Sequence, residues 1–173
     1  MAIIRPEQKD DYASIFAVHQ SAFNRTIEAE LVDRLRTTNY YHSELSLVAE
    51  ENSEILGHIL FTRVVIKDGN KTYPALALAP LGVKEDAQNK GIGSLLIEEG
   101  LKKAKYLGHK IIIVLGDPKF YGRFGFEPAS QYEITPPASF PEEAFLVKKL
   151  SPEELDFKGQ VLYPVQFNMA IEK

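Results

Sequence analysis

The sequence predicts a single α/β domain with flanking helices and a mixed, mostly antiparallel sheet. Three successive β-rich segments predict an antiparallel meander, and a strand–helix–strand unit with parallel strands follows them. The 173 residues fit one domain spanning residues 1–173, and 45% hydrophobic with 25% charged residues is an ordinary globular balance. A chain of this length can bury a core without disulfides.

The first third predicts one short strand and two helices. Residues 2–5 are β-rich, and Pro6 ends the strand. From residue 10 to residue 23 the apolar positions recur on one helical face, which predicts an amphipathic helix. A further repeat of four between residues 27 and 35 predicts a second helix that ends near Thr37.

The middle of the chain predicts the meander. Residues 45–51 and 54–66 flank a polar dipeptide and predict a hairpin, and Asp68-Gly69 predicts the turn to residues 73–83. Residues 75–83 are apolar on both faces, as in a central buried strand. Pro80 and Gly82 are unfavourable in a regular strand, so we expect a bulge or a splay near its end, where the pairing breaks.

The remaining segments predict a crossover and a loop-rich end. Gly91 opens a helix that ends at Gly108, and residues 110–115 form an apolar β-branched strand parallel to residues 73–83. Later strands are expected at residues 144–150 and 165–171. Prolines accumulate after residue 127, which predicts irregular structure there.

The composition excludes several classes of function. The net charge of −4 argues against nucleic acid as a partner. Without cysteine there is no disulfide, thiolate nucleophile or cysteine zinc site, and the four histidines lack metal-ligand spacing, so no metal is expected. The N-terminus has no signal-peptide pattern, and the apolar runs are far shorter than the ~18 residues of a membrane span. We expect a cytoplasmic protein without a membrane partner.

A glycine-containing loop at residues 88–94 predicts an anion site. Gly91 and Gly93 let a ligand approach the backbone, a helix N-terminus follows, and Lys90 adds positive charge. The loop lacks the Gly-Lys-Ser/Thr of a P-loop. It also lacks the third small residue of a dinucleotide fingerprint, because that position is Leu96.

A second motif, Phe120-Tyr121-Gly122-Arg123-Phe124-Gly125-Phe126, follows the second parallel strand. Together the Q-x-x-G-x-G of the loop and the Y-x-x-x-G-F of this segment resemble the GCN5-related N-acetyltransferase (GNAT) superfamily. The Gly116-Asp117-Pro118 link and the Arg-Phe-Gly-Phe segment are similar to a YhbS-like branch of predicted acetyltransferases. The resemblance covers about residues 2–127 as the core and leaves about 128–173 as the loop-rich part.

The resemblance implies acetyl-coenzyme A (acetyl-CoA) as co-substrate. Backbone amides of the glycine loop would bind its pyrophosphate, and the pantetheine arm would pair with the end of the splayed strand. The residues implied in cofactor binding are Leu81, Gly82, Val83, Gln88, Asn89, Lys90, Gly91, Ile92, Gly93, Ser94, Asp117 and Tyr121. At Asp117 the chain departs from the family, many of whose members have asparagine near the end of the second parallel strand. Asp117 either replaces that contact or caps the short helix before Tyr121.

The implied reaction is direct transfer of an acetyl group to a primary amine in a ternary complex. Tyr121 would protonate the leaving thiolate as general acid, and the Val83 backbone N–H would hold the oxyanion. Without cysteine, a route through an acyl-cysteine is excluded.

Several alternatives stay open at this point. Candidates for the base that deprotonates the amine are Glu28, Glu30, Glu44 and His58. The acceptor, a small molecule or a peptide, is unidentified, and the protein is expected to be a monomer or homodimer. A non-catalytic acyl-CoA sensor or interaction module on the same fold is the alternative function. A third hypothesis is transfer of a longer acyl chain, or transfer to a hydroxyl.

Overall fold

The computed structural model describes residues 1–137 and 140–168. Its helices are α1 (Tyr12–Phe23), α2 (Ile27–Leu35), α3 (Ile92–Tyr106) and α4 (Pro118–Gly122). Its strands are β1 (Ile3–Pro6), β2 (Ser46–Glu51), β3 (Glu54–Asp68), β4 (Lys71–Val83), β5 (Ile111–Leu115), β6 (Glu127–Pro128), β7 (Ile134–Thr135), β8 (Phe145–Lys149) and β9 (Gly159–Leu162). Short 3-10 turns connect several of these elements.

The strands form one mixed sheet in the order β1-β2-β3-β4-β5-β8-β6, and β9 pairs with β3 and β7. The β4–β5 and β7–β9 pairs are parallel. Antiparallel pairing joins β1 to β2, β2 to β3, and β5 to β8. The predicted fold class, a mixed and mostly antiparallel sheet with flanking helices, is therefore confirmed.

The chain divides into two compact units, and each of the strands β3 and β4 has residues in both units. The first comprises Met1–Thr62 and Ala79–Ala104, and the second comprises Arg63–Leu78 and the chain from Lys105 onward. The extent of the domain, predicted as residues 1–173, stays a prediction.

In the first unit, local backbone signals set where the elements begin and end. Asn24 takes a left-handed conformation, with φ of 55°, and its N–H donates to the Gln20 carbonyl, which ends α1. Asn52 and Ser53 have φ of 53° and 65°. Such consecutive left-handed residues make the tight turn that matches the twist of a hairpin, so β2 and β3 pair directly.

In the second unit, β5 is the centre of the core. Its first four residues are buried, and it pairs with β8 from Ile111 opposite Lys149 to Leu115 opposite Phe145. Its parallel register with β4 consists of two pairs, Leu76 with Ile112 and Ala77 with Ile113. In β4 this register ends at Ala77, shortly before Pro80, near which the sequence predicted that the pairing breaks.

The last predicted strand is wrong in position. Within residues 165–171, Val165–Phe167 form a 3-10 turn, and residues 169–171 lie outside the described residues. Pro164, which has no N–H, begins that turn. The strand lies earlier, as β9, where a Cβ on Gly159 would stand 2.6 Å from the carbonyl carbon of Lys67 in β3. Only glycine allows this approach. The requirement comes from a contact between distant residues, so the periodicity of the local sequence does not indicate it. The strand predicted at residues 144–150 is confirmed as β8.

Among the helices that the structure describes, none has the length and apolar character needed to cross a membrane.

Replacing Gly100 in α3 with alanine is expected to lower the free energy of unfolding by about 1–3 kcal/mol. A Cβ there would stand 2.6 Å from Cζ of the buried Phe61 ring. That overlap outweighs the roughly 1 kcal/mol that alanine gains over glycine inside a helix. Urea unfolding followed by circular dichroism measures the change. Gly122→Ala is the matched control, because its Cβ would meet no atom of the described residues within 4 Å. Equal losses in both variants would contradict this packing.

Candidate functional site

The glycine loop lies between the end of β4 and α3 in the first unit. Asn89 and Gly91 have φ of 64° and 84°, which is the left-handed region that glycine adopts without strain. The N–H of Leu95 donates to the Gly91 carbonyl at 3.0 Å. The N–H groups of Ile92 and Gly93 precede this bond, so the helix itself does not use them. They are therefore placed at the positive end of the α3 dipole, where an anion is stabilised.

A side-chain hydrogen bond ties this loop to β4. The Gln88 side-chain amide donates to the Val83 carbonyl at 2.8 Å. Beside it, the Lys84 N–H donates to the Leu56 carbonyl of β3 at 2.9 Å. The first residue of the Q-x-x-G-x-G motif therefore fixes the start of the loop against the end of the strand.

A cavity of about 540 Å³ touches the loop in the same unit. Lys90 and Gly91 line it, but so do Glu51 and Glu98. The terminal amine of Met1 already pairs with Glu51 at 2.9 Å. Two carboxylates make this cavity a poor site for a pyrophosphate, so the helix N-terminus itself is the better place for an anion.

The end of β4 has no room for a side chain at Gly82. A Cβ on Gly82 would stand 2.6 Å from Nδ1 of His19 in α1 and 3.4 Å from Cβ of Ala22. Gly82 is buried, and its neighbours Leu81 and Val83 are half-buried. Helix α1 thus packs directly on the backbone of the strand segment where the sequence predicts the pantetheine arm.

In the second unit, Tyr121 lies on α4 in an apolar setting. A Cβ on Gly116 would stand 2.9 Å from its Cδ2 atom, so the ring lies against the bare backbone of Gly116. The rings of Phe120 and Phe126 pack edge-on, with centroids at 5.0 and 5.6 Å. Burial raises the pKa of Tyr121 to about 12. The phenol therefore keeps its proton at neutral pH, as a proton donor must.

Asp117 is the N-cap of α4. Its carboxylate accepts a hydrogen bond from the Lys119 N–H at 2.9 Å, and Pro118 occupies the first helical position. Of the two roles that the sequence left open for Asp117, the capping role is present. The glycine loop and the end of β4 belong to the first unit, whereas Asp117 and Tyr121 belong to the second.

The three carboxylates considered as bases are all engaged. Glu28 accepts two hydrogen bonds from Nε of Arg25, at 3.0 and 3.1 Å. Glu30 accepts from the Thr26 hydroxyl at 3.0 Å, and Glu44 pairs with a lysine of α3 at 3.0 Å.

His58, the fourth candidate base, is fully buried in a network that sequence reasoning missed. Its Nδ1 lies 2.8 Å from Nε2 of His19, and its Nε2 lies 2.8 Å from the Ser46 hydroxyl. Thirty-nine positions separate the two histidines, so no local spacing indicates their contact. The one available signal is that His19 falls on the apolar face of α1. Within residues 1–137 and 140–168, no cluster of three possible ligands could hold a metal ion.

The buried histidines predict a loss of stability in acid. Burial lowers the pKa of His19 to about 3, and burial, His19 and Arg36 lower that of His58 well below its usual value. Below pH 6.5 the unfolded chain therefore binds protons that the folded chain does not. The free energy of unfolding is expected to fall by about 1.4 kcal/mol per histidine per pH unit from pH 6.5 toward pH 3.

Urea unfolding between pH 5 and pH 8 measures this loss. Carboxylates also contribute to the slope, so the informative quantity is the difference between variants. His19→Gln should reduce the slope by about one proton relative to the wild-type protein. An unchanged slope in His19→Gln would contradict a neutral buried His19.

Comparisons of sequence place the chain among known proteins. A model of the acetyltransferase (GNAT) domain family matches residues 3–129. The uncharacterized N-acetyltransferase YhbS of Escherichia coli K12 is 32% identical over 168 residues, covering 96% of this chain and 98% of YhbS. The uncharacterized N-acetyltransferase YjhQ of the same strain is 34% identical over 158 residues, covering 88% of this chain and 87% of YjhQ.

Solved structures agree with these matches. The crystal structure of Escherichia coli YhbS in complex with CoA has a TM-score of 0.89 at 31% identity, covering 96% of this chain and 92% of that one. A GNAT family acetyltransferase from Brucella melitensis in complex with acetyl-CoA has a TM-score of 0.78 at 32% identity, covering 96% and 98%. Because the matches in sequence and structure extend over nearly the whole chain, this protein belongs to the GNAT family of acetyltransferases.

Proposed function

We propose that the protein is a cytoplasmic enzyme that transfers an acetyl group from acetyl-CoA to a primary amine, directly and within a ternary complex. The observation that carries the proposal is the start of α3, where the left-handed Gly91 leads into N–H groups that the helix does not use. The YhbS structure holds CoA and the Brucella structure holds acetyl-CoA. Both relatives align with almost all of this chain.

Binding follows from backbone groups. The pyrophosphate lies on the loop of residues 88–94, where N–H groups, the helix dipole and the exposed Lys90 stabilise its charge. The pantetheine arm adds to the end of β4 along Leu81, Gly82 and Val83, which β5 leaves without a parallel partner. Asp117 contributes to cofactor binding indirectly, because it caps α4 and so fixes where that helix begins.

Catalysis combines positioning with two groups of the chain. The Val83 N–H stabilises the oxyanion that forms when the amine attacks the thioester carbonyl. Tyr121, which burial keeps protonated, gives its proton to the departing CoA thiolate. The sequence has no cysteine for a covalent acyl-thioester route.

Reversing the charge at the loop is expected to weaken cofactor binding. Lys90→Glu should raise the Kd for CoA about tenfold at low salt, equivalent to about 1.4 kcal/mol, and by less at high salt because ions screen an exposed charge. Isothermal titration calorimetry measures both. Lys105→Glu is the matched control, since it makes the same charge change at an exposed site near the other end of α3. Equal weakening by both variants would contradict a phosphate site at Lys90.

Removing the Tyr121 hydroxyl is expected to slow turnover without abolishing binding. Tyr121→Phe should lower kcat about 10²–10⁴-fold, the usual contribution of a positioned general acid. Thiol release from acetyl-CoA in the presence of an amine measures kcat, and calorimetry measures the Kd for CoA. Tyr106→Phe, at a tyrosine that is 84% exposed, controls for loss of a hydroxyl. An unchanged kcat in Tyr121→Phe would contradict the assigned role.

One observation favours the second candidate, a non-catalytic acyl-CoA sensor. The carboxylates of Glu28, Glu30 and Glu44 are each held by another side chain, so none stands ready as a base. A sensor would bind acetyl-CoA, release no thiol with any amine and be indifferent to Tyr121→Phe. An enzyme would release thiol in step with acetylation of its acceptor.

A further inference from the structure

Within the first unit, a chain of buried polar side chains begins at the end of β4. Both histidine rings are 0% exposed. From Gly82 the order is His19, His58 and Ser46, with 2.8 Å for each of the two hydrogen bonds between them. Nε2 of His58 also lies 3.7 Å from a carboxylate oxygen of Glu7.

The far end of this chain is an anchored carboxylate. The Arg36 guanidinium donates two hydrogen bonds to Glu7, each of 2.9 Å, and the Tyr41 hydroxyl donates another. The Glu7 side chain is 1% exposed. These hydrogen bonds fix the orientation of the carboxylate, so a negative charge stays close to Nε2 of His58.

The ionisation of the two rings restricts where their protons lie. Burial and Arg36 lower both pKa values, so both imidazoles are neutral and each carries one N–H. The ring–ring hydrogen bond needs one donor and one acceptor. Hydrogen-bond donation therefore runs either from His19 through His58 to Ser46, or from Ser46 through His58 to His19.

Glu7 selects between these two arrangements. An N–H on Nε2 of His58 faces the Glu7 carboxylate favourably, whereas a lone pair on that nitrogen would be repelled. His58 Nδ1 then accepts a hydrogen bond from Nε2 of His19. This arrangement leaves a lone pair on the remaining nitrogen, His19 Nδ1.

His19 Nδ1 is a buried atom that has no hydrogen-bond partner among the described residues. A buried acceptor that makes no hydrogen bond carries a free-energy cost, so its presence needs an explanation, and a catalytic role is one. This nitrogen lies against Gly82, the residue that precedes Val83, whose N–H we propose for the oxyanion. The register of β4 with β5 ends at Ala77, before Gly82.

We propose that His19 is a further catalytic residue, whose Nδ1 accepts the proton that the amine loses as it attacks the thioester. His58, Ser46 and Glu7 are positioning residues that keep this nitrogen unprotonated. The inference rests on the proposed acetyltransferase function and supplies the base that the engaged carboxylates do not.

The steps balance in atoms and protons. A bond forms between the amine nitrogen and the thioester carbon, and the carbonyl electron pair moves to oxygen. An N–H bond breaks and Nδ1–H forms, so His19 becomes an imidazolium that keeps its Nε2 proton in the hydrogen bond to Nδ1 of His58. The carbonyl then reforms, the C–S bond breaks, and Tyr121 gives its proton to sulfur. Solvent takes the proton from His19 and returns one to Tyr121.

Nitrogen-15 NMR of the unliganded protein tests the tautomer without any substrate. His19→Gln and His58→Gln variants assign the signals. The expected spectrum at neutral pH shows His19 protonated on Nε2 and unprotonated on Nδ1. A proton on His19 Nδ1 would overturn the proposal. Glu7→Gln, which removes the charge but keeps the shape, should shift the equilibrium toward the opposite arrangement.

Chemical rescue tests the catalytic role. With acetyl-CoA and a panel of primary amines, His19→Gly should lower kcat about 10²–10⁴-fold. Added imidazole should restore part of that loss by occupying the space that the ring leaves. The Kd for CoA should stay within about twofold, and His42→Gly should keep wild-type kcat. His19→Gln, with circular dichroism, shows that the loss is not unfolding.

The outcomes separate the two proposals. Wild-type protein that releases no thiol with any amine contradicts the acetyltransferase function itself. Active wild type with an equally active His19→Gly overturns only the inference about His19. A folded His19→Gly that binds CoA, loses activity and does not respond to imidazole also overturns it, because that result indicates a structural role.

Discussion

The close contact between His19 and the backbone of Gly82 is the constraint on which the rest of the first unit depends. A side chain at position 82 would overlap the histidine ring, so α1 could not pack on the end of β4. Gly57 in β3 has the same importance, because a Cβ there would stand 3.0 Å from Leu96 of α3 and 3.2 Å from the Gly82 carbonyl. Two glycines thus let α1 and α3 approach the strand ends that carry the candidate site.

This packing explains why the site is built from backbone. Where a helix packs directly on strand residues that lack side chains, the polar groups available to a ligand are the backbone N–H and C=O groups and a few neighbouring side chains. A protein with a net charge of −4 attracts an anionic cofactor poorly as a whole. In the proposed function, local N–H groups at the start of α3, with Lys90, supply the attraction that the overall charge does not.

Much of the fold was predictable because its signals are local. Helical periodicity predicted α1, α2 and α3, and turn residues predicted the β2–β3 and β3–β4 connections. The glycine loop was predictable because its chemistry depends on spacing within seven residues. By contrast, β9 depends on the approach of Gly159 to Lys67, and the histidine network depends on α1 meeting β3. Such contacts join distant residues, so a pattern within one segment cannot indicate them.

The central claim is that this chain moves an acetyl group from acetyl-CoA to an amine. The most direct measurement incubates the purified protein with acetyl-CoA and a mixed panel of amino acids, peptides, polyamines and aminoglycosides, and follows both products by mass spectrometry. The account predicts one acetylated amine and one free CoA thiol for each transfer, with no acetylated protein intermediate. Free CoA without any acetylated amine, or acetyl groups that accumulate on the protein before transfer, would contradict it.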